Sequence, residues 1–175
     1  FTMIVFRDIV KMGKKPKHTY RFIASGDEEG NIMTGAIQAL RSGYITEKSW
    51  VLDLEPSAGE IWGAHKGKTW FDITTKGKPA HGSMPWTGAD AIAAIVTEIR
   101  TRIEALPEDD YFGISSVCFG TINGGRSTNI VCDEVNLTID MRLAPPLTTD
   151  ASIKLVEDSI EAGTSRIKGT SGSYE

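Results

Sequence analysis

The most constraining feature of this sequence is a strict alternation of apolar and polar side chains over residues 134–143. Val135, Leu137, Ile139 and Met141 take every second position, and polar or charged residues fill the positions between them. Successive side chains of a β-strand point to opposite faces, so this pattern predicts a strand with one buried and one solvated face. It is the clearest strand prediction in the chain.

Other patterns predict the neighbours of this strand. Further strands are predicted at residues 68–76 and 112–122, and helices at residues 88–106 and 148–162, the second capped by Thr148. The first of these helices is amphipathic. Its apolar stripe comprises Ile92, Val96, Ile99, Ile103 and Leu106.

The order of elements from residue 68 onward is therefore β-α-β-β-α. One more strand would complete an α+β ferredoxin-like (βαββαβ) domain. The tail from residue 164 is polar and rich in glycine and serine. The domain is therefore expected either to end short of its last strand or to use a weak one.

The first part of the chain has a different pattern. Helices are predicted at residues 1–12 and 30–40, the second ending at Gly43, and short apolar runs predict strands at residues 18–25 and 50–54. A strand–helix–strand order is typical of a parallel sheet. This part is therefore expected to be α/β, with a partial parallel or mixed sheet and helices.

The character of the sequence changes near residues 59–68, which predicts two domains, 1–65 and 66–175. The first helix has no N-terminal cap, and the chain does not begin with methionine. We therefore expect the chain to be part of a longer protein.

Composition narrows the class of protein. The chain has 175 residues, of which 40% are hydrophobic and 24% charged, and its net charge of -4 argues against a nucleic-acid surface. No apolar run is long enough to cross a membrane. Cys118 and Cys132 lack metal-binding spacing, so both are predicted to be buried thiols of a cytoplasmic protein.

Acidic side chains follow both predicted strands of the first part. Asp27, Glu28 and Glu29 come after residues 18–25, and Glu55 follows the second strand. Strand ends of one parallel sheet open onto the same crevice, and a divalent metal would compensate their charge. Acidic triplets are also common on surfaces, so the residues alone leave a solvated turn open as the alternative.

Five motifs in order then resemble one known family. The family is that of the cocatalytic zinc exopeptidases and amidohydrolases, which includes carboxypeptidase G, acetylornithine deacetylase, succinyl-diaminopimelate desuccinylase and aminoacylase. The motifs span nearly the whole chain. They lie at residues 25–30, 52–57, 77–85, 124–131 and 140–142.

The resemblance implies roles for three glutamates. Glu28 matches the catalytic general base, Glu29 a ligand of one zinc ion, and Glu55 a ligand of the other. The implied cofactor is zinc, two ions per active site in the complete enzyme, with cobalt or manganese as possible substitutes. The family also has an upstream His-x-Asp and a downstream histidine ligand. This sequence has neither, so the chain is expected to be inactive alone.

The resemblance also implies roles in the second part, the dimerisation or lid domain. His81 matches a catalytic, substrate-binding histidine that reaches across a homodimer. Asn129 and Arg142 match residues that hold the substrate's carboxylate or carbonyl. Taken alone, a loop histidine is usually only solvated, and Arg142 could pair with Asp140 or Glu134 instead.

The implied function is metal-dependent cleavage of an amide bond next to a free carboxylate. The substrate would be an N-acyl amino acid or a short peptide, and the protein would be a deacylase, desuccinylase, deacetylase or carboxypeptidase. The alternative is a non-catalytic dimerisation or interaction module of the same family. A glycosidase with paired carboxylates explains neither the motifs of the second part nor Arg142.

Overall fold

The computed structural model describes residues 2–26, 28, 33–93 and 95–175 of the chain. Contacts between Cα atoms divide the chain into two compact units, Phe1–Glu60 and Ile61–Glu175. Among the described residues, all β-strands belong to the second unit. The described helices include none that is long and apolar enough to cross a membrane.

The described part of the first unit contains two helices. Helix α1 spans Thr2–Lys11 and helix α2 spans Thr34–Arg41. The chain leaves α2 through Gly43, whose φ of 71° lies in the left-handed region that glycine adopts without a Cβ clash. Its N–H donates to the carbonyl of Leu40 at 3.0 Å. The predicted glycine at the end of this helix is therefore confirmed.

The strands predicted at residues 18–25 and 50–54 are wrong for this structure. Neither segment forms regular secondary structure or pairs with a strand in the described part of the chain. Their apolar side chains are exposed, with Tyr20 at 58% and Leu52 at 81%. A strand needs a neighbour for its backbone hydrogen bonds and a surface against which its apolar face can be buried. The apolar runs indicate which side chains a strand would bury, but they do not indicate whether a paired strand exists.

The second unit contains a four-stranded antiparallel sheet. Its strands are β1 (Gly67–Lys76), β2 (Ser116–Gly124), β3 (Glu134–Leu143) and β4 (Ser171–Tyr174). The order across the sheet is β2-β3-β1-β4, so β3 separates β1 from β2. Strand β3 has the bounds that the alternating pattern predicts, and β4 is the short, weak strand that completes the β-α-β-β-α-β order.

Two helices cover one face of this sheet. They are α3 (Val96–Glu104) and α4 (Thr149–Arg166), and α4 begins as predicted, with the Thr148 hydroxyl accepting a hydrogen bond from the Ala151 N–H at 3.2 Å. The core lies between helices and sheet. It comprises Phe71, Ile73, Ile95, Ile99, Ile103, Leu137, Ile139, Met141, Leu143, Leu147, Val156 and Ile160.

Helix α3 begins later than the apolar stripe predicts. Ala89 forms two backbone hydrogen bonds with Lys78, both 2.9 Å long, and this antiparallel bridge takes the backbone out of helical geometry. Ile92 consequently lies before the helix and is 49% exposed, while Ile95 is buried in the core. The prediction that helix spans 88–106 is therefore too long at its N-terminal side.

The other face of the sheet carries polar side chains and is exposed. Cys118 lies opposite Asp140 on this face and is exposed, whereas Cys132 is buried. The prediction of two buried thiols is therefore wrong for Cys118. The strand register decides this outcome, because a shift of one residue moves a side chain to the opposite face.

Candidate functional site

The predicted carboxylates of the first unit are solvent-exposed where the structure describes them. Glu28 lies in a turn and Glu55 in a segment without regular secondary structure, and both are exposed. Neither forms an ion pair or a side-chain hydrogen bond within the described ranges. Glu29 lies outside the described residues.

The described residues do not fit a zinc ion by themselves. No group of three histidine, cysteine, aspartate or glutamate side chains that could hold a metal occurs among residues 2–26, 28, 33–93 and 95–175. Tight zinc sites use three or four protein ligands with supporting hydrogen bonds. The structure therefore offers Glu55 as a free oxygen donor but not as a member of a formed metal centre.

The second unit brings two of the predicted site residues together. His81 lies in residues 77–88, here named the His81 loop, and Asn129 lies in residues 125–133, the Asn129 loop. The Gly82 N–H donates to the Asn129 carbonyl at 2.6 Å, and the Val131 N–H donates to the Ala80 carbonyl at 2.8 Å. These bonds join the two loops as a short antiparallel bridge between His81 and Ile130.

The approach of the loops explains a glycine next to His81. A Cβ on Gly82 would lie 3.0 Å from the Asn129 carbonyl oxygen and 3.2 Å from its Cα atom. Those are backbone atoms, which cannot rotate away as the end of a flexible side chain can. The glycine therefore permits the close contact that holds the two loops together.

The side chain of His81 is oriented by Ser83. The Ser83 N–H points to Nδ1 of His81 at 3.2 Å, and the Ser83 hydroxyl lies 2.9 Å from the same atom. A backbone N–H can only donate, so Nδ1 is the acceptor and the proton of the neutral ring is on Nε2. His81 thus presents an exposed N–H donor at Nε2.

The side chain of Asn129 is oriented in a similar way. The Ser127 hydroxyl donates to Oδ1 of Asn129 at 2.6 Å. This bond occupies the acceptor oxygen and leaves the two N–H donors of the amide for another group. His81 and Asn129 therefore both expose N–H donors, an arrangement suited to an anionic oxygen such as a carboxylate or an oxyanion.

Arg142 lies on the exposed face of β3 and not in the two joined loops. Its Nη2 donates to Oδ2 of Asp140 at 2.8 Å, and the two side chains are 50% and 28% exposed. Asp140 is one of the two partners that the sequence suggests. A guanidinium has five N–H donors, so this pair leaves several free for a carboxylate.

Three residues that sequence reasoning gave no role contribute to these surroundings. Ser83 orients the His81 side chain and Ser127 orients that of Asn129, and each serine lies two positions from its partner along the chain. Lys68 lies directly opposite Arg142 in the sheet and places its ammonium 4.1 Å from the Trp70 ring centre. A hydroxyl close in sequence to a candidate histidine or asparagine is a usable signal for such a role.

Comparison with known proteins identifies the family. The family model of the peptidase dimerisation domain matches residues 63–167. The chain belongs to this family. The match covers strands β1, β2 and β3, both helices on the sheet and both joined loops, and it confirms at family level the resemblance seen in the motifs.

Curated relatives carry names of hydrolases. A protein of Arthroderma otae named "Probable carboxypeptidase" is 30% identical over 99 residues, which are 51% of this chain and 22% of the relative. A Staphylococcus aureus protein named "Probable succinyl-diaminopimelate desuccinylase" is 25% identical over 177 residues, 85% of this chain and 43% of the relative. The chain thus spans less than half the length of these relatives.

Solved structures show the same fold. The aminopeptidase PepT of Bacillus cereus matches with a TM-score of 0.62 and 23% identity, over 96% of this chain and 44% of that one. A hydantoinase/carbamoylase family amidase of Burkholderia ambifaria matches with a TM-score of 0.52 and 20% identity, over 63% of this chain and 28% of that one. At these identities the likeness concerns the fold.

Proposed function

We propose that the full-length protein is a metal-dependent hydrolase that cleaves an amide bond next to a free carboxylate. The observation that carries the proposal is the joining of the His81 and Asn129 loops, which exposes N–H donors on both side chains. Names of curated relatives support it, since they include a carboxypeptidase and a desuccinylase. The substrates would be N-acyl amino acids or short peptides.

Four residues of this chain have roles in the proposed reaction. Arg142 binds the free carboxylate of the substrate through the guanidinium donors that Asp140 leaves unused. His81 and Asn129 donate hydrogen bonds to the oxygen that becomes negative when water adds to the amide carbonyl. Glu28 accepts the proton of the attacking water and passes it to the leaving amine.

Zinc is the proposed cofactor, with Glu29 and Glu55 as ligands of two ions and with cobalt or manganese as substitutes. Zinc would polarise the carbonyl and activate the water. The described residues do not complete a site for it. We therefore expect the 175-residue chain to bind zinc weakly and to hydrolyse nothing by itself.

We also propose a homodimer that forms through the predicted domain 66–175, while residues 1–65 belong to a zinc-binding domain. Membership of the peptidase dimerisation domain family supports this assignment. The alternative, a non-catalytic dimerisation or interaction module, shares the family and the fold but requires no turnover. A cytoplasmic location stays a prediction from the sequence.

The test compares substrates with and without the free carboxylate. N-succinyl and N-acetyl amino acids and dipeptides are supplied to the zinc-loaded full-length protein beside the same compounds with an amidated C-terminus. We expect amidation to lower kcat/KM by about 10- to 100-fold, because it removes a charged hydrogen bond. Arg142→Lys should lower kcat/KM for the free acids and change the amidated compounds little.

Two outcomes would contradict the proposal. Equal hydrolysis of acids and amides would exclude recognition of the carboxylate by Arg142. No hydrolysis of any compound by a dimer with full zinc occupancy would favour the non-catalytic module.

A further inference from the structure

The Asn129 loop contains a charged pair that the proposed chemistry does not use. Nη2 of Arg126 donates to Oδ2 of Asp133 at 2.6 Å. The Arg126 side chain is 70% exposed, but that of Asp133 is only 14% exposed. A carboxylate so far removed from water is stable when a cation or hydrogen-bond donors compensate its charge. Arg126 is the cation that does so among the described residues.

The position of this pair in the chain allows it to restrain the Asn129 loop of the candidate site. Arg126 and Asp133 lie near the two ends of the Asn129 loop, so the ion pair closes a ring of residues that contains Asn129. The carbonyl of Asp133 also accepts a hydrogen bond from the Gly77 N–H at 2.8 Å. Asp133 thus holds the Asn129 loop with its side chain and the start of the His81 loop with its main chain.

The bonds between the loops lie inside this ring. The Asn129 carbonyl that receives the Gly82 N–H and the Val131 N–H that donates to Ala80 both fall between Arg126 and Asp133. Without the ion pair, the middle of the loop could move away from its neighbour at the cost of these two bonds, while the Gly125 N–H would still donate to the Glu134 carbonyl at the base of the loop. The ion pair therefore limits the separation of the two loops.

We propose that Arg126 and Asp133 are positioning residues that set the spacing between His81 and Asn129. Neither side chain needs to touch the substrate. The pair acts through the backbone of the Asn129 loop, and the consequence for turnover rests on the function proposed above. The positioning itself does not depend on that function and can be measured without a substrate.

The first experiment measures amide hydrogen exchange in the 175-residue chain by NMR. Asp133→Asn and Arg126→Met each remove one charge of the pair with little change of side-chain size. We expect exchange of the Gly82 and Val131 amides to accelerate by about tenfold or more, because one charged partner is lost and the loop opens locally. The amides of β3 should keep their wild-type rates.

Two further variants serve as controls. Arg126→Lys keeps the positive charge and should retain most of the protection of both amides. Lys154→Met removes a different charged pair, Lys154 with Asp158, whose nitrogen and oxygen lie 2.9 Å apart on α4. This variant should leave both loop amides unchanged.

Unchanged exchange at Gly82 and Val131 in both pair-breaking variants would overturn the inference. Equal acceleration of the β3 amides would also overturn it, because the pair would then stabilise the whole unit rather than the loops. If Arg126→Met prevents folding, Asp133→Asn and Arg126→Lys still decide between these outcomes.

Turnover of the full-length protein provides the functional readout. Arg126→Met should lower kcat/KM about tenfold for free-acid substrates, and Arg126→Lys should restore most of it. Accelerated loop exchange without any effect on turnover would leave the positioning intact and contradict the proposed roles of His81 and Asn129. Normal exchange with reduced turnover would overturn the positioning role instead.

Discussion

The orientation of Asn129 depends on one neighbouring hydroxyl. Ser127→Ala removes the 2.6 Å hydrogen bond to Oδ1, so the amide should rotate freely and its N–H donors should lose their fixed direction. We expect the order parameter of the Asn129 side-chain NH2 group, measured by 15N relaxation, to fall below about 0.6. In the full-length protein kcat should fall about fivefold, the equivalent of one hydrogen bond of about 1 kcal/mol made to the developing oxyanion.

Ser173→Ala is the matched control, because its hydroxyl makes no hydrogen bond within the described residues. It should change neither the mobility of Asn129 nor kcat. An Asn129 amide that stays as ordered in Ser127→Ala as in the wild type would show that other contacts fix it.

The roles that the motifs imply for single residues stay predictions. The pairing of Arg142 with Asp140 was one of the two alternatives that the sequence offered, because residues two apart on a strand share a face. The roles of Ser83 and Ser127 did not follow, since a hydroxyl finds its partner only through the local loop conformation. Burial of Asp133 likewise depends on packing that no periodic pattern records.

At the scale of elements, the joined loops depend on Gly82. Gly82→Ala would bring a Cβ within 3.0 Å of the Asn129 carbonyl oxygen, and the loops would have to separate. We expect the free energy of unfolding in urea to fall by about 1–3 kcal/mol, as for other overpacked sites. The Val131 amide should also exchange faster.

Gly63→Ala tests whether any new Cβ has this effect. Its Cβ would meet only the Tyr111 hydroxyl at 3.7 Å, an ordinary contact. The change in unfolding free energy should stay within about 0.5 kcal/mol. Equal losses for the two variants would refute the loop contact as the cause.

A hydrogen bond of one tyrosine links strand β4 to α4. The Tyr174 hydroxyl donates to Oε1 of Glu157 at 2.7 Å, and this hydrogen bond, followed by desolvation, raises the pKa of Tyr174 above its ordinary value of 10.0. A raised pKa means that the folded chain holds the proton more tightly than the unfolded chain. The stabilisation from this hydrogen bond is thus complete at pH values below the ordinary pKa of tyrosine, and it is lost as the pH rises through the raised pKa of Tyr174.

Glu157→Gln should therefore move the titration of the Tyr174 phenol to lower pH. In the wild type the β4 amides should exchange faster as Tyr174 loses its proton, and this acceleration should be absent from the variant. Ultraviolet absorbance and amide exchange of β4 measure the two effects. Glu161→Gln, on the same helix, should leave the titration of Tyr174 at its wild-type pH. A wild-type curve for Glu157→Gln would exclude this hydrogen bond as the cause.

Elements were predictable where periodicity and packing agree. Strand β3 has its predicted bounds because its apolar positions are all buried on one face of the sheet. The start of α3 was wrong because the backbone bridge between Ala89 and Lys78 competes with helix formation, and the strands of the first unit were wrong because they lack paired neighbours. Both errors come from long-range contacts, which a local pattern does not contain.

At the scale of the whole molecule, the joined loops predict how subunits would share an active site. His81 and Asn129 are bonded through one chain's backbone, so both would reach the same site of a dimer. If that site belongs to the partner and Arg142 serves its own subunit, His81→Ala and Arg142→Ala should complement each other. Random mixing gives half heterodimers, each with one intact site, so activity should return to about a quarter of the wild type.

Mixing His81→Ala with Asn129→Ala is the control that the structure supplies. Each heterodimer site would then receive both side chains from a single partner, one of them always missing, so no activity should return. Activity is measured after the two variants are co-refolded, and mass spectrometry confirms that heterodimers form. Recovery of activity in this control would show that His81 and Asn129 of one chain serve different active sites. If His81→Ala mixed with Arg142→Ala recovers no activity, His81 and Arg142 serve the site of the same subunit.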